Sequence, residues 1–232
     1  MIERRPFGEL PSEDLGWLKA RRHFSVAAKN DASRCGWGCL RVWNDEEIAP
    51  NAGFALKVHS NVEIVIYVRE GTVTHRDSLG NEGRIETGSA QVVSAGTGIR
   101  HAEYNLEQAS ARIFQIWITP SSPGGSPAWA VQPCPVSDRS GCFVAIASGC
   151  DGDGDALPIR ASARVLTAKL KGGESVEHVL REPRLAYLVP STGTIDVNGV
   201  RIYARDGAAI KDVDIVAITA IEDADVVMVD AL

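Results

Sequence analysis

Two histidines and one glutamate in the first half of the chain have the types and spacing of metal ligands. His101 and Glu103 are two residues apart, and side chains at positions i and i+2 of a β-strand point to the same face. His59 follows Lys57 at the same spacing, so these two side chains also share a face. Two imidazoles and one carboxylate with open coordination positions suit a non-haem Fe(II) site. The alternative, from spacing alone, is that these side chains are solvated or satisfied by local hydrogen bonds.

The elements that must position these residues are short β-strands. Runs of β-branched and apolar residues recur at spacings of about 8–12 residues, as in β-sandwiches and barrels. Helical periodicity is weak, and one short helix is predicted over residues 11–19, opened by Ser12 with two acidic residues in its first turn. The dipeptide Asn198-Gly199 predicts a type I′ hairpin, because both turn positions need a positive φ. The predicted strands are 62–68, 71–75, 91–94, 112–119, 142–147, 164–170, 185–189, 193–197, 200–203, 214–221 and 225–230.

The composition excludes several classes of protein. The chain carries 24 Lys+Arg and 30 Asp+Glu, a net charge of −6, which argues against direct nucleic-acid binding because that requires a basic surface. No run approaches the ~18–20 apolar residues of a transmembrane helix, and the first residues are charged where a signal peptide is apolar. The odd number of cysteines, five, indicates free thiols in a reducing compartment, with Cys35 and Cys39 buried rather than bound to zinc. We therefore expect a cytoplasmic protein without membrane contact.

The chain divides near its middle. Residues 119–127 are rich in proline and glycine, which interrupt strand pairing and so indicate a linker. Residues 63–73 are similar to residues 185–195 at an offset of 122, which indicates a duplicated β domain. At that offset Arg181 takes the place of His59, so the second half is expected to hold no metal. The predicted organisation is an N-terminal unit over 1–125, a linker over 126–139 and a C-terminal unit over 140–232.

Several segments together resemble one known family. Residues 53–71 are similar to the first cupin motif as pirin-family proteins carry it, and residues 94–105 continue the match through a glycine-rich turn before His101. Further matching segments are 16–25, 40–45, 75–81, 115–118, 173–176, 197–199 and 206–210. The chain therefore resembles the pirin-like bicupins, which include bacterial quercetinase-like members. The resemblance implies an all-β fold of two cupin-type β-barrels that face each other, the second without metal.

The resemblance also implies a ligand set in which one member has changed. The family binds one metal through three histidines and one glutamate, at the positions that here are Lys57, His59, His101 and Glu103. A lysine ammonium is charged at neutral pH and has no lone pair for a metal. Two arrangements compete: a three-ligand metal site with Lys57 neutral or turned away, and a metal-free site with a Lys57–Glu103 ion pair. The like charge of Lys57 favours the second, so it argues against binding of an Fe(II)-type divalent metal.

The remaining polar residues receive simpler interpretations. Glu63 has two interpretations: it is either a partner that orients the His59 imidazole or a strand residue on the solvent face. The others, His23, His75, Asp77 and His178, are expected in turns or on the surface.

The favoured function is a pirin-like bicupin that binds a small molecule or regulates a partner, with weak or lost metal-dependent activity. The alternative is a metal-dependent quercetin 2,3-dioxygenase-like oxidoreductase that acts on flavonol-type phenols, with Glu103 as the catalytic group that takes the phenol proton. The resemblance implies a small-molecule ligand or substrate, and it allows a protein partner. It gives no reason to expect nucleic acid or a membrane.

Overall fold

The structure, a computed structural model, describes residues 1–24, 34–134 and 141–232, and their regular secondary structure is almost entirely β-strand. The first half contains the strands β1 Ile2–Arg5, β2 Ser12–Asp14, β3 Leu18–Phe24, β4 Leu40–Ile48, β5 Ala52–His59, β6 Glu63–Glu70, β7 Thr72–Asp77, β8 Glu82–Glu86, β9 Ser89–Ser94, β10 Ile99–Asn105, β11 Ala111–Ile118 and β12 Ala128–Pro133. A 3₁₀ turn at Phe7–Glu9 lies between β1 and β2. The second half contains β13 Val144–Ser148, β14 Leu157–Pro158, β15 Ala163–Leu170, β16 Ser175–Val179, β17 Leu185–Thr192, β18 Ile195–Val197, β19 Val200–Ile202, β20 Gly207–Ile210, β21 Ile215–Ala220 and β22 Ala224–Ala231.

Each half is a seven-stranded sheet packed on a four-stranded sheet. The first half has the orders β12-β9-β6-β11-β4-β3-β2 and β5-β10-β7-β8, and the second has β1-β20-β17-β22-β15-β13-β14 and β16-β21-β18-β19. Strands β6 and β17 occupy equivalent places, as the 122-residue offset indicates. The all-β bicupin fold is thus confirmed. In each half, the facing sheets pack together through apolar side chains, but among the described strands no hydrogen-bonded ladder joins one sheet to the other. The expected barrels are therefore two-sheet sandwiches.

The helix predicted over residues 11–19 is wrong. Its residues form β2 and the start of β3, which pair as a hairpin through a turn with Gly16 at φ +80°. The Asp14 carboxylate that suggested a helix start accepts a hydrogen bond from the Gly16 backbone N–H at 2.9 Å instead. Leu18 and Ala20 alternate into the core as β3 pairs with β4. Tertiary burial of this alternating face outweighs the weak local helix signal.

The two large sheets pack face to face around an aromatic core. Trp43 and Phe24 of the first half contact Tyr187 of the second, with ring centroids 5.6 and 4.5 Å apart, and Phe114 packs on Trp43 at 5.5 Å. Because side chains alternate along a strand, β4 directs Trp43 to this interface and its neighbour Asn44 into the first half. One strand therefore serves both the joint between the halves and the cavity described below.

Strand exchange and buried charges also join the halves. Strand β1 completes the sheet of the second half by pairing with β20, and β12, inside the predicted linker, pairs with β9 of the first half. The fully buried carboxylate of Asp45 accepts hydrogen bonds from Arg69 of its own half and from Arg205 of the other, the latter at 2.6 Å. The domain bounds given above stay predictions.

Three local predictions have clear outcomes. The Asn198-Gly199 hairpin is confirmed, with φ values of 46° and 86° between β18 and β19. The expectation of a buried Cys35 is wrong, since that thiol is exposed, while Cys39 is half-buried. In the described ranges, no helix has the length and apolar character needed to cross a bilayer.

Two histidines expected on the surface are held inside the fold. His23 is fully buried, and its Nδ1 lies 2.9 Å from the Tyr187 hydroxyl across the joint between the halves. Burial, together with the charge of Arg5, lowers the pKa of His23 to about 3. His178 is largely buried, with Nε2 at 3.0 Å from Asp230 Oδ2. Sequence reasoning missed both because their partners lie far away along the chain.

Candidate metal and ligand site

A cavity of about 380 Å³ opens between the two sheets of the first half. The side chains of Lys57, His59, His101 and Glu103 line it from the four-stranded sheet. Strands β5 and β10 are neighbours, with His101 opposite Lys57 and Ile99 opposite His59. The rest of the lining is Glu13, Leu15, Trp17, Leu18, Arg22, Val42, Asn44, Glu46, Phe54, Ala55, Ile64, Gln115 and Trp117.

The two histidines and the glutamate singled out above lie side by side in this cavity. His101 Nδ1 lies 2.7 Å from Glu103 Oε1, and both side chains are buried. The His59 ring, half-buried, lies 4.9 Å from the His101 ring and 5.0 Å from the Trp117 ring. The pairing of β5 with β10 therefore brings distant segments to one place.

A third histidine belongs to the same cluster. His75 was expected in a turn or on the surface, but it is fully buried on β7, directly opposite Glu103. Its Nδ1 lies 3.7 Å from Glu103 Oε1, its Nε2 lies 3.2 Å from Asp77 Oδ2, and its ring stacks on Trp129 at 4.8 Å. Ligand atoms of His75, His101 and Glu103 all lie within 4.8 Å of one another. The alternation of Val73, His75 and Asp77 around an exposed Arg76 was the signal that sequence reasoning passed over.

The Glu103 carboxylate is held by one of its oxygens. Oε1 accepts a hydrogen bond from His101 and a longer one, 3.3 Å, from Gln91 Nε2, whose own Oε1 accepts from Trp129 Nε1 at 2.9 Å. Burial raises the pKa of Glu103, but the His101 hydrogen bond and the charges of His101 and His75 outweigh burial and lower the pKa to about 2. Glu103 is therefore ionised at neutral pH, and its Oε2 has no hydrogen bond within the described part of the chain.

The donor set fits a divalent transition metal. His101 Nε2 and His75 Nδ1 are buried without a hydrogen-bond partner among the described residues. Burial, with the nearby His101, lowers the pKa of His59, so this imidazole is neutral at neutral pH and can offer a lone pair. Buried nitrogen atoms and a carboxylate oxygen left unbonded on one small cluster are costly for an apo fold, and a cation satisfies them together.

Lys57 does not form the expected ion pair. It is exposed on β5, the edge strand of its sheet, and its Nζ lies 5.4 Å from the Phe54 ring centroid. Across the described residues, Glu103 makes no salt bridge with Lys57, so the predicted Lys57–Glu103 pair is wrong. The physical reason is that His101 already occupies Glu103 Oε1, while an edge lysine gains more from solvent. This is the arrangement in which the lysine is turned away from the ligands.

Glu63 lies apart from the cluster. It is 1% exposed, so the solvent-facing alternative is wrong, and its carboxylate accepts a hydrogen bond from Ser94 Oγ at 2.5 Å. Burial raises the pKa of Glu63. Its role as a partner of His59 stays a prediction, since the structure gives Ser94 as its hydrogen-bond donor.

The seven-stranded sheet contributes a second polar wall that the sequence did not indicate. Asn44 and Glu46, on the inward face of β4, are 5% and 2% exposed, and Asn44 Nδ2 donates to Glu46 Oε1 at 3.0 Å. Burial raises the pKa of Glu46 to about 7, against the hydrogen bond from Asn44 and the charge of Arg22. The cavity thus has ionisable groups on both of its sheets.

A larger cleft of about 770 Å³ lies between the halves, and most of the charged side chains that line it are already paired. Arg112 contacts Glu47 and Glu70, and Lys171 contacts Asp223. We therefore assign the candidate site to the smaller cavity, where two histidines and a glutamate with metal-ligand chemistry lie together.

Comparison with known proteins agrees with this architecture. Residues 3–118 match the family model described as Pirin, and residues 145–231 match the one described as Quercetinase C-terminal cupin domain. A pirin-like protein of Caulobacter vibrioides is 58% identical over 231 residues, covering 100% of both chains, and a quercetin 2,3-dioxygenase of Escherichia coli K12 is 33% identical over 99% of this chain and 98% of its own. A crystal structure of the bacterial pirin YhhW from Escherichia coli in complex with nickel(II) superposes with a TM-score of 0.92 at 34% identity, covering 100% of this chain and 99% of that one.

Proposed function

The chain belongs to the pirin family, and from that premise we propose that its N-terminal cavity binds a divalent metal and, with it, oxidises flavonol-type phenols. The observation that carries the proposal is the pair of buried imidazole nitrogens, His101 Nε2 and His75 Nδ1, that lack a hydrogen-bond partner among the described residues and lie beside the Glu103 carboxylate. The relatives named quercetin 2,3-dioxygenases support the substrate class. Lys57, turned away from Glu103, leaves the three remaining ligand positions available.

His59, His101 and Glu103 would hold the metal, with His75 close enough to Glu103 to fix its orientation or to replace one ligand. The nickel(II) complex of the related YhhW supports a divalent ion, and the nitrogen and oxygen donors of this cavity also suit Fe(II). When bound, the metal supplies Lewis acidity toward a phenol oxygen and the redox capacity for reaction with dioxygen.

The chain's own residues bind and orient the phenol. Glu103, ionised at neutral pH, presents Oε2 as acceptor for a phenolic proton, while the hydrogen bond of His101 to Oε1 keeps the carboxylate in place. Phe54 and Trp117 provide aromatic walls, and Trp17 packs against Phe54 with ring centroids 5.3 Å apart. Planar aromatic substrates fit such walls through ring contacts, which also exclude water from the reacting oxygen.

The test is metal analysis of protein purified without a polyhistidine tag, before and after Fe(II) or Ni(II) is added, followed by oxygen uptake with quercetin. We expect about one metal per chain and quercetin-dependent oxygen consumption. His59→Ala and Glu103→Gln should lose both. The matched control is His178→Asn, which alters a histidine of the second half outside the cavity. Metal binding that survives both cavity variants would place the metal elsewhere and contradict the proposal.

A second function, binding of a small anionic molecule without turnover, is favoured by one residue. Lys57 brings a positive charge to the cavity rim where the family has a histidine. A phenolate or carboxylate could bind the ammonium there, and the protein would then act as a binding or regulatory module. This function requires that quercetin binds the metal-free protein and that Lys57→Ala weakens the binding. Oxygen uptake by the metal-loaded wild type would favour the first function instead.

A further inference from the structure

We propose that Asn44 and Glu46 form a hydroxyl-recognition subsite that selects phenols carrying a hydroxyl group in addition to the one bound at the metal. This inference rests on the proposed function, because it assumes that the cavity holds a flavonol-type phenol. It adds a specificity determinant on the sheet that carries none of the metal-ligand candidates.

The location of the pair supports a ligand contact. His59, His101 and Glu103 belong to β5 and β10 of the four-stranded sheet, whereas Asn44 and Glu46 belong to β4 of the seven-stranded sheet. Both groups line the same cavity. A molecule held at the first sheet by one end can therefore reach the second sheet with another part.

Each side chain of the pair leaves one oxygen atom without a hydrogen-bond partner among the described residues. Asn44 Nδ2 and Glu46 Oε1 satisfy each other at 3.0 Å, but Asn44 Oδ1 and Glu46 Oε2 are buried without a partner among the described residues. Buried polar atoms without a partner are rare in folded proteins, since each costs about 1–3 kcal/mol. Two such atoms on one cavity wall are accounted for if a ligand completes them.

The chemistry of the two free atoms defines the ligand group. An amide oxygen only accepts a hydrogen bond, and a carboxyl oxygen accepts one or, when protonated, donates one. A hydroxyl group donates to the first and either donates to or accepts from the second. The subsite therefore suits one hydroxyl, or two adjacent hydroxyls, on an aromatic ring. A bare aromatic ring at this wall would leave both oxygens buried and unbonded, so the subsite also rejects phenols that lack the group.

The neighbouring side chains on β4 provide a matched control. Glu47 is the next carboxylate along the strand, but alternation directs it to the other face, where it accepts a hydrogen bond from Arg112 at 3.1 Å. Glu47→Gln therefore removes a charge from the same strand without touching the cavity. Glu46→Gln retains a hydrogen-bonding group of the same size, whereas Glu46→Ala and Asn44→Ala remove it.

The experiment compares two probes that share a chelating group. Quercetin and 3-hydroxyflavone both carry the 3-hydroxy-4-keto unit, but quercetin has further ring hydroxyls. Dissociation constants are measured without oxygen on the metal-loaded protein, and circular dichroism and metal content confirm that each variant is folded and loaded. We expect the wild type to bind quercetin about tenfold more tightly, a preference that falls to about twofold or less in Glu46→Ala and Asn44→Ala. Glu46→Gln should keep part of the preference and Glu47→Gln all of it.

The outcomes separate the two proposals. Binding of both flavonols with a preference that is the same in the wild type, Glu46→Ala and Asn44→Ala overturns the subsite and leaves the proposed function standing. Absence of binding of either flavonol to the metal-loaded wild type overturns both. A variant that binds 3-hydroxyflavone as the wild type does, but has lost the gain for quercetin, supports the subsite, because a merely structural defect would weaken both ligands.

Discussion

Glu103 lies directly opposite His75 across the pairing of β10 with β7, with 3.7 Å between Glu103 Oε1 and His75 Nδ1. Asp77 engages the other nitrogen of His75, and Trp129 stacks on its ring. Asp77, His75, Glu103 and His101 thus form a continuous row of polar side chains from the end of β7 into the cavity. Such supporting groups orient metal ligands and adjust their basicity.

We expect His75→Ala to weaken divalent-metal binding by about tenfold or more, because Glu103 loses the imidazole and the Asp77 support beside it. Titration of the metal-free protein with Ni(II), monitored by calorimetry, measures the change in affinity. His178→Asn, in the other half, should bind as the wild type does. An unchanged affinity in His75→Ala would show that the proximity of His75 to Glu103 has no bearing on the metal.

The lysine at the changed ligand position can be tested in both directions. Lys57→His would give the three-histidine, one-glutamate set that the family resemblance implies and should raise metal affinity at least about tenfold. Lys57→Ala should change the free energy of unfolding by no more than about 0.5 kcal/mol, since the side chain is exposed and lacks an ion pair with Glu103. Metal titration and urea unfolding measure the two effects. A wild type that binds metal as tightly as Lys57→His would show that the lysine is irrelevant to the site.

Glu46 should make the stability of the metal-free protein depend on pH near neutrality. Its pKa is raised to about 7 from an ordinary value of 4.5, so the folded state binds more protons than the unfolded state between these values. Stability contributed by protonated Glu46 is full below pH 4.5 and is lost as the pH rises through 7. Unfolding free energies measured from pH 5 to 8 should fall less steeply in Glu46→Gln than in the wild type. Parallel profiles would contradict the raised pKa.

His23 should make the protein less stable as the pH falls, which is the opposite of the pH dependence expected from Glu46. Its pKa is lowered to about 3 from 6.5, so the unfolded state takes up the proton first as the pH falls. The stability of the neutral, buried imidazole is present above pH 6.5 and is lost progressively between 6.5 and 3. His23→Gln, which cannot be protonated, should lose less stability between pH 6.5 and 4 than the wild type does. Thermal unfolding across this range provides the measurement, and identical slopes would show that His23 does not titrate between the two states.

The sequence by itself determined the strand rhythm, the duplication and the chemical types at the site. Alternation with a period of two is a local property, so the common face of His101 and Glu103 follows without knowledge of the fold. The left-handed turn at Asn198-Gly199 is equally local, because it depends on backbone sterics of two residues. The offset of 122 residues indicated that the two halves repeat one architecture.

Only the tertiary structure decided which strands are neighbours, and that order decides which side chains meet. The place of His75 beside Glu103, the wall of Asn44 and Glu46, and the burial of His23 against Tyr187 all arise from contacts between strands or sheets. The pairing of β2 with β3 likewise replaced the helix that the local start signal favoured. Sheet order is set by the burial of apolar faces summed over the whole chain, a non-local free energy that no short segment encodes.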